Sequence, residues 1–279
     1  YQDVRAALQA AGPGAPVWPY FEAIAYRPHR AYFDGLLETY GPDAFGPLGL
    51  PGGVELAAPF LRQALADAPL FGLEQTAHAI LQKVEPLLPG TEPDLYLGTL
   101  LFMAPAGTIS VQRQPVVTLG LERFHLTPPA TGPKFWYHPA EVVEMVPHEA
   151  AHVARMQALR LPPSPRQLSL LEMVMLEGTA LTFTDHLLDR TTLATFMPPE
   201  RLAWHKANDR WVRRAAAADF ARTGMPAFRQ YFSADSPVSG YYVGYALCRE
   251  YLDRYGPDRV GELVGLPSAD ILRRLDLTA

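Results

Sequence analysis

The chain has 279 residues, 48% of them hydrophobic and 19% charged, with a formal net charge of −5. That composition can bury a sizeable core and excludes a disordered chain. An acidic balance without Lys/Arg runs excludes nucleic acid as the main partner, and a single cysteine, Cys248, excludes an intramolecular disulfide and leaves any metal site to His and carboxylates.

Residue 1 is Tyr, so the natural N-terminus is expected to have been trimmed, and a soluble cytoplasmic location is favoured over export. Residues 1–90 read as helices between Gly and Pro breaks. "VRAALQAAG" ends at Gly12, and "HRAYFDGLLETYG" sets Tyr32, Leu36, Leu37 and Tyr40 on one core stripe. "VELAAPFLRQALADA" and "EQTAHAILQKVEPLLPG" repeat the pattern. Residues 91–125 turn β-branched and aromatic. "DLYLGTLLFM", "TISVQRQ" and "PVVTLGLERF" predict a small sheet of about three strands. Leu126 to Phe135 read as a loop. Helices return with "PAEVVEMVPHEAAHVARMQALR" and, past a proline-rich break, "QLSLLEMVMLEGTALTFTDHLLDR", which together span 136–192. One or two more are expected over 199–232, and "SGYYVGYALCREYLDRYG" closes the 199–279 part, with Cys248 as a buried inert thiol. No apolar run reaches the ~18 residues of a membrane span. The expected organisation is one domain over residues 1–279.

"HEAAH" places His148 and His152 four apart on a helix, one above the other, where both imidazoles can reach one metal ion. Glu149, beside the first histidine, is suited to take a proton from a metal-activated water. The metzincin continuation would need Gly at 155 and His at 158, where the chain has Arg155 and Ala158. The third ligand is then expected on the next helix, from Glu177 in preference to Glu172. Gly178 beside Glu177 would let the two helices approach closely. Pro147 directly before His148 removes a helical hydrogen bond. Either the helix begins near it, or a longer helix is kinked at Val143, the expectation adopted here. Asp185, two turns beyond Glu177, is a candidate to orient a ligand histidine or else a surface charge. His29, His78, His186 and His205 have no partner at ligand spacing and are read as structural; His125 and His138, which flank the loop after the strands and could reach a cleft, are left out of the site.

The ordered set "HEAAH", "EGTA" and "GYYVGY" resembles a bacterial family of predicted zinc-dependent proteases of gluzincin type, over about residues 75–260. The resemblance implies an α+β, mostly helical zincin-like fold with a small sheet before the metal helix. It implies one Zn²⁺ and hydrolysis of peptide bonds in a peptide or protein substrate. On the same ground Tyr241 or Tyr245 is the expected oxyanion donor. The strand before the metal helix, with Val116, Thr118, Gly120 and Glu122 on one face, is expected to line the cleft and pair with substrate at its edge. Two other readings stay open: a zinc hydrolase of another amide or ester, and a binding or chaperone-like module that has lost turnover.

Overall fold

The computed structural model describes residues 2–41, 49–66, 70–91, 93–101, 103–126, 136–162, 164–233 and 236–277. The expected loop at Leu126 to Phe135 lies outside them except for its first residue. The architecture is α+β, mostly helical, with one small mixed sheet ahead of the helix that carries "HEAAH". The chain forms two compact units, Tyr1–Gln82 with Glu92–Glu149 and Lys83–Thr91 with Ala150–Ala279.

The first unit holds α1 (Gln2–Ala11), α2 (Trp18–Phe21) with a π-helical turn behind it, α3 (Arg30–Tyr40), α4 (Gly49–Ala66) and most of α5 (Leu70–Val84). Helix α3 ends where the sequence stops it, at Gly41 with φ +87°. The strands are β1 (Leu95–Gly98), β2 (Ala106–Val111) and β3 (Gln114–Gly120), in the order β1-β3-β2. β3 runs parallel to β1 and antiparallel to β2. The β2–β3 turn is Gln112-Arg113, both at positive φ (50° and 67°), the conformation of a type I′ hairpin turn without its usual Asn-Gly. Pro115 sits in the central strand at no cost to the ladder. Val117 N–H points toward β1, bonding Asp94 O at 2.9 Å, so Pro115's missing N–H faces the same side, ahead of where β1 begins opposite Val117.

This topology corrects the expected role of "PVVTLGLERF". Both edges of β3 are taken, so no substrate strand can pair there. The Val116–Thr118–Gly120–Glu122 face is buried, not open to a cleft. Thr118 Oγ1 lies 2.9 Å from the Tyr32 hydroxyl of α3, and Gly98 and Gly107 leave room for the rings of Tyr32 and Tyr40. Phe21, Phe33, Leu36, Leu61, Ile109 and Leu121 belong to the core of this unit.

Helix α6 (Val142–Leu159) starts in the first unit and continues into the second. The second unit then builds α7 (Leu170–Leu188), α8 (Leu193–Phe196), α9 (Pro199–Ala207), α10 (Asp209–Ala217), α11 (Gly224–Phe232), α12 (Gly240–Tyr255), α13 (Val260–Gly265) and α14 (Ser268–Arg274). Residues 199–232 thus form three helices, divided at Asn208 and again ahead of Gly224, which has φ +79°. Its core packs α7 against α12 and α13, with Phe183, Leu247, Tyr251 and Leu263 buried.

Candidate metal centre

Helix α6 is preceded by a 3-10 turn, Pro139–Glu141, which His138 caps by accepting the Ala140 N–H at 3.2 Å. The helix begins at Val142, five residues before Pro147, so Pro147 lies inside it and is not its first turn. The ring deprives the Val143 carbonyl of its partner at a cost of about 3 kcal/mol. From Pro147 to Met156 every residue is buried. A helix buried all round needs an uncharged, close-fitting surface, and Ala150, Ala151, Val153 and Ala154 supply it.

Beyond Glu149, the charged exception is Arg155. It is fully buried, and its guanidinium donates to the Val264 and Leu266 carbonyls at 3.0 and 2.9 Å and to Ser268 Oγ at 2.8 Å. Glu172 Oε2 stands 3.7 Å from it. Burial pulls the guanidinium pKa down and the Glu172 charge opposes that. Three carbonyl and hydroxyl acceptors on its two terminal nitrogens, with a carboxylate nearby, offset the cost of burying the cation. The pairing also occupies Glu172, the weaker candidate for third ligand. An arginine inside a stretch whose only other charged side chain is Glu149 was the available signal, and in the sequence Arg155 served only to exclude a motif.

Helix α7 is set by Ser169, whose hydroxyl accepts the Glu172 N–H at 3.2 Å as N-cap. Gly178 does not serve the approach of the metal helix, as the sequence had suggested. A Cβ there would run into the Gly244 backbone on α12, and a Cβ on Gly244 into the Val174 carbonyl oxygen. The glycine of "EGTA" and the second glycine of "GYYVGY" are therefore the two sides of one helix crossing, which fixes the backbone next to Glu177.

His148, His152 and Glu177 each offer a ligand atom, and the three atoms lie within 4.8 Å of one another. His152 Nε2 and Glu177 Oε2 are 3.7 Å apart. A tetrahedral ion with bonds of ~2.0–2.2 Å spaces its ligand atoms ~3.3–3.6 Å apart, so this pair needs little movement to share one. Both histidines are buried and Glu177 is nearly so. Two imidazole nitrogens and one carboxylate oxygen form a donor set suited to Zn²⁺, and three protein ligands leave a fourth position for reactants. Among the described residues no other cluster of His, Cys, Asp and Glu has this geometry.

The profile of a family described as "Predicted Zn-dependent protease (DUF2268)" matches residues 131–273, half of the chain, with all three candidate ligands inside the match. The chain belongs to this family. Neither the curated proteins nor the solved structures gave a match.

In this DUF2268 chain the remaining predicted residues fall as follows. Glu149 is buried, and its Oε2 accepts from Thr108 Oγ1 at 2.9 Å; the same hydroxyl lies 3.1 Å from the Glu149 carbonyl. Thr108 stands on β2, forty-one positions upstream, and no local pattern marks it. Asp185 orients no histidine here and is not a surface charge. It is buried, its Oδ1 accepts the Thr192 N–H and hydroxyl at 2.6 and 2.8 Å, and its Oδ2 accepts from Tyr245 at 2.8 Å. Burial pushes the Tyr245 phenol up to about 12, with the Asp185 hydrogen bond and charge adding to it. Tyr241 packs its ring against Phe196 and Phe232. Cys248 is buried, with its thiol driven up to about 12 by burial, as an inert cysteine should be. No described helix is long and apolar enough to cross a membrane.

Proposed function

We propose that this protein is a gluzincin-type metallopeptidase that holds one Zn²⁺ with His148, His152 and Glu177 and cleaves peptide bonds in peptides or proteins. The observation that carries the reading is the convergence of these three ligand atoms within 4.8 Å on α6 and α7, with Glu149 next to the first ligand. Held there, Zn²⁺ would supply Lewis-acid activation of water and of the scissile carbonyl. Glu149 takes the water proton as the oxygen adds to the carbonyl carbon, and delivers it to the departing amine as the C–N bond breaks. Asp185 already holds the Tyr245 proton, so Tyr241 is proposed as the oxyanion donor, with Tyr245 as the alternative.

The test is metal analysis and proteolysis on protein purified without added metal. Wild type is expected to carry near-stoichiometric zinc, and Glu177→Gln to lose most of it. Glu149→Gln should keep the zinc while its cleavage of unfolded casein falls by roughly 10²–10⁴-fold. No zinc in wild type would overturn the reading outright. Zinc without cleavage of any peptide would shift it to a non-peptide hydrolase or an inactive binding module.

A further inference from the structure

We infer that Thr108 is a positioning residue for Glu149, fixing which of its carboxylate oxygens receives the proton during turnover; this rests on the metallopeptidase reading. The Thr108 hydroxyl stands against two oxygens of the same residue, 2.9 Å from Glu149 Oε2 and 3.1 Å from its main-chain oxygen. A free glutamate samples three side-chain torsions, and ordering such a chain costs rotamer entropy. A donor shared between the backbone and the tip of one glutamate selects the conformers that keep both of its oxygens within reach of that hydroxyl.

The donor comes from a rigid support. Thr108 is directly opposite Val117 in the β2–β3 ladder, and its β-branch leaves few χ1 choices. Helix α6 is as fixed, with buried residues on both sides of Glu149. The bond therefore joins two residues of the same compact unit, one on a strand and one on a helix, and neither end is a loop.

The chemical consequence follows from the one hydrogen that a threonine hydroxyl owns. Shared between Oε2 and the main-chain oxygen, it holds Oε2 against β2 and leaves Oε1 as the oxygen that can face the reacting groups. The other oxygen, Oε1, then takes the proton from water and returns it to the amine. Proton pick-up and delivery thus use one oxygen in one place, and the carboxyl group need not turn over between the two half-steps.

Thr108→Val removes the hydroxyl and keeps the shape; Thr108→Ser keeps the hydroxyl. Both variants should bind zinc to the wild-type stoichiometry. Thr108→Val should lose roughly 10- to 100-fold in kcat at unchanged KM, the range of a lost hydrogen bond to a charged group, and Thr108→Ser should restore most of it. Crystal structures of zinc-loaded wild type and Thr108→Val give a readout independent of turnover, with Glu149 in one rotamer in the first and in more than one in the second. Wild-type kcat in Thr108→Val, no recovery in Thr108→Ser, or an unchanged single Glu149 rotamer would each overturn the inference. A wild type without zinc or cleavage would instead overturn the metallopeptidase reading, and the Glu149 rotamers would still decide whether Thr108 holds that side chain.

Discussion

His205 is held with one nitrogen protonated and the other bare. Nδ1 lies 2.8 Å from the Arg201 carbonyl, to which it can only donate, and Nε2 accepts the Ser239 N–H at 3.1 Å. Ser239 is the N-cap of α12, the helix that carries Tyr241, Gly244 and Tyr245, so His205 anchors the start of the helix that bears the proposed oxyanion donors. A second proton would set two N–H groups against each other. Burial pulls the His205 pKa below its ordinary value, the Arg201 charge pulls the same way, and the bond to the Arg201 carbonyl opposes both. The unfolded imidazole titrates near ~6.5 and the folded one lower, so below ~6.5 the unfolded chain binds a proton that the folded chain lacks. The contribution is complete above ~6.5 and is lost as pH falls through the folded pKa. Thermal midpoints of wild type and His205→Gln, measured from pH 7.5 to 5, should converge as the pH drops, since the variant lacks this titration. Parallel curves would show that His205 is not the titrating group.

At the scale of elements, the α7–α12 crossing ties two of the sequence motifs together. Its contact atoms are backbone on both sides, so a Cβ cannot be absorbed by a rotamer change. Gly244→Ala should destabilise by roughly 1–3 kcal/mol, the usual cost of overpacking, despite the ~1 kcal/mol that alanine gains over glycine in a helix. Because Gly178 on the facing side adjoins Glu177, the same variant should also weaken zinc binding, though it removes no ligand. Gly72→Ala in α5 is the control: a Cβ there meets nothing within 4 Å, so the variant should gain roughly 0.5–1 kcal/mol and leave zinc unchanged. Chemical denaturation with zinc titration on both variants checks this. Equal stabilities would mean that the helices separate at little cost and that the paired glycines do not fix Glu177.

For the whole molecule, what was legible in the sequence is what local periodicity encodes. Helical spacing put His148 and His152 on one face, alternation and β-branching marked a small sheet, and glycines marked the ends of α3 and α12. What was not legible depends on contacts between distant segments. β3 lies in the middle of its sheet because β1 pairs with it across an intervening strand, Gly178 faces α12 and not the metal helix, and Thr108 meets Glu149 from another element. The same distinction predicts how the fold responds to loss of metal. Each unit has its own apolar core, with Phe21, Phe33 and Ile109 in one and Phe183, Leu247 and Tyr251 in the other, and none of these residues is a proposed ligand. A chain of 279 residues with such cores does not need an ion to fold, unlike a small zinc finger. Zinc on α6 and α7 should still stabilise the folded state by mass action, by ~4 kcal/mol at a thousandfold excess over Kd. At roughly 2–4 °C per kcal/mol for a chain approaching this size, chelation should lower the thermal midpoint by about 8–16 °C. The helical circular dichroism signal at 25 °C should remain. Glu177→Gln should already melt at the lower temperature and ignore the chelator. Collapse of the helical signal on chelation would mean that the ion holds the fold itself. A wild-type midpoint indifferent to chelator would mean that His148, His152 and Glu177 hold no metal.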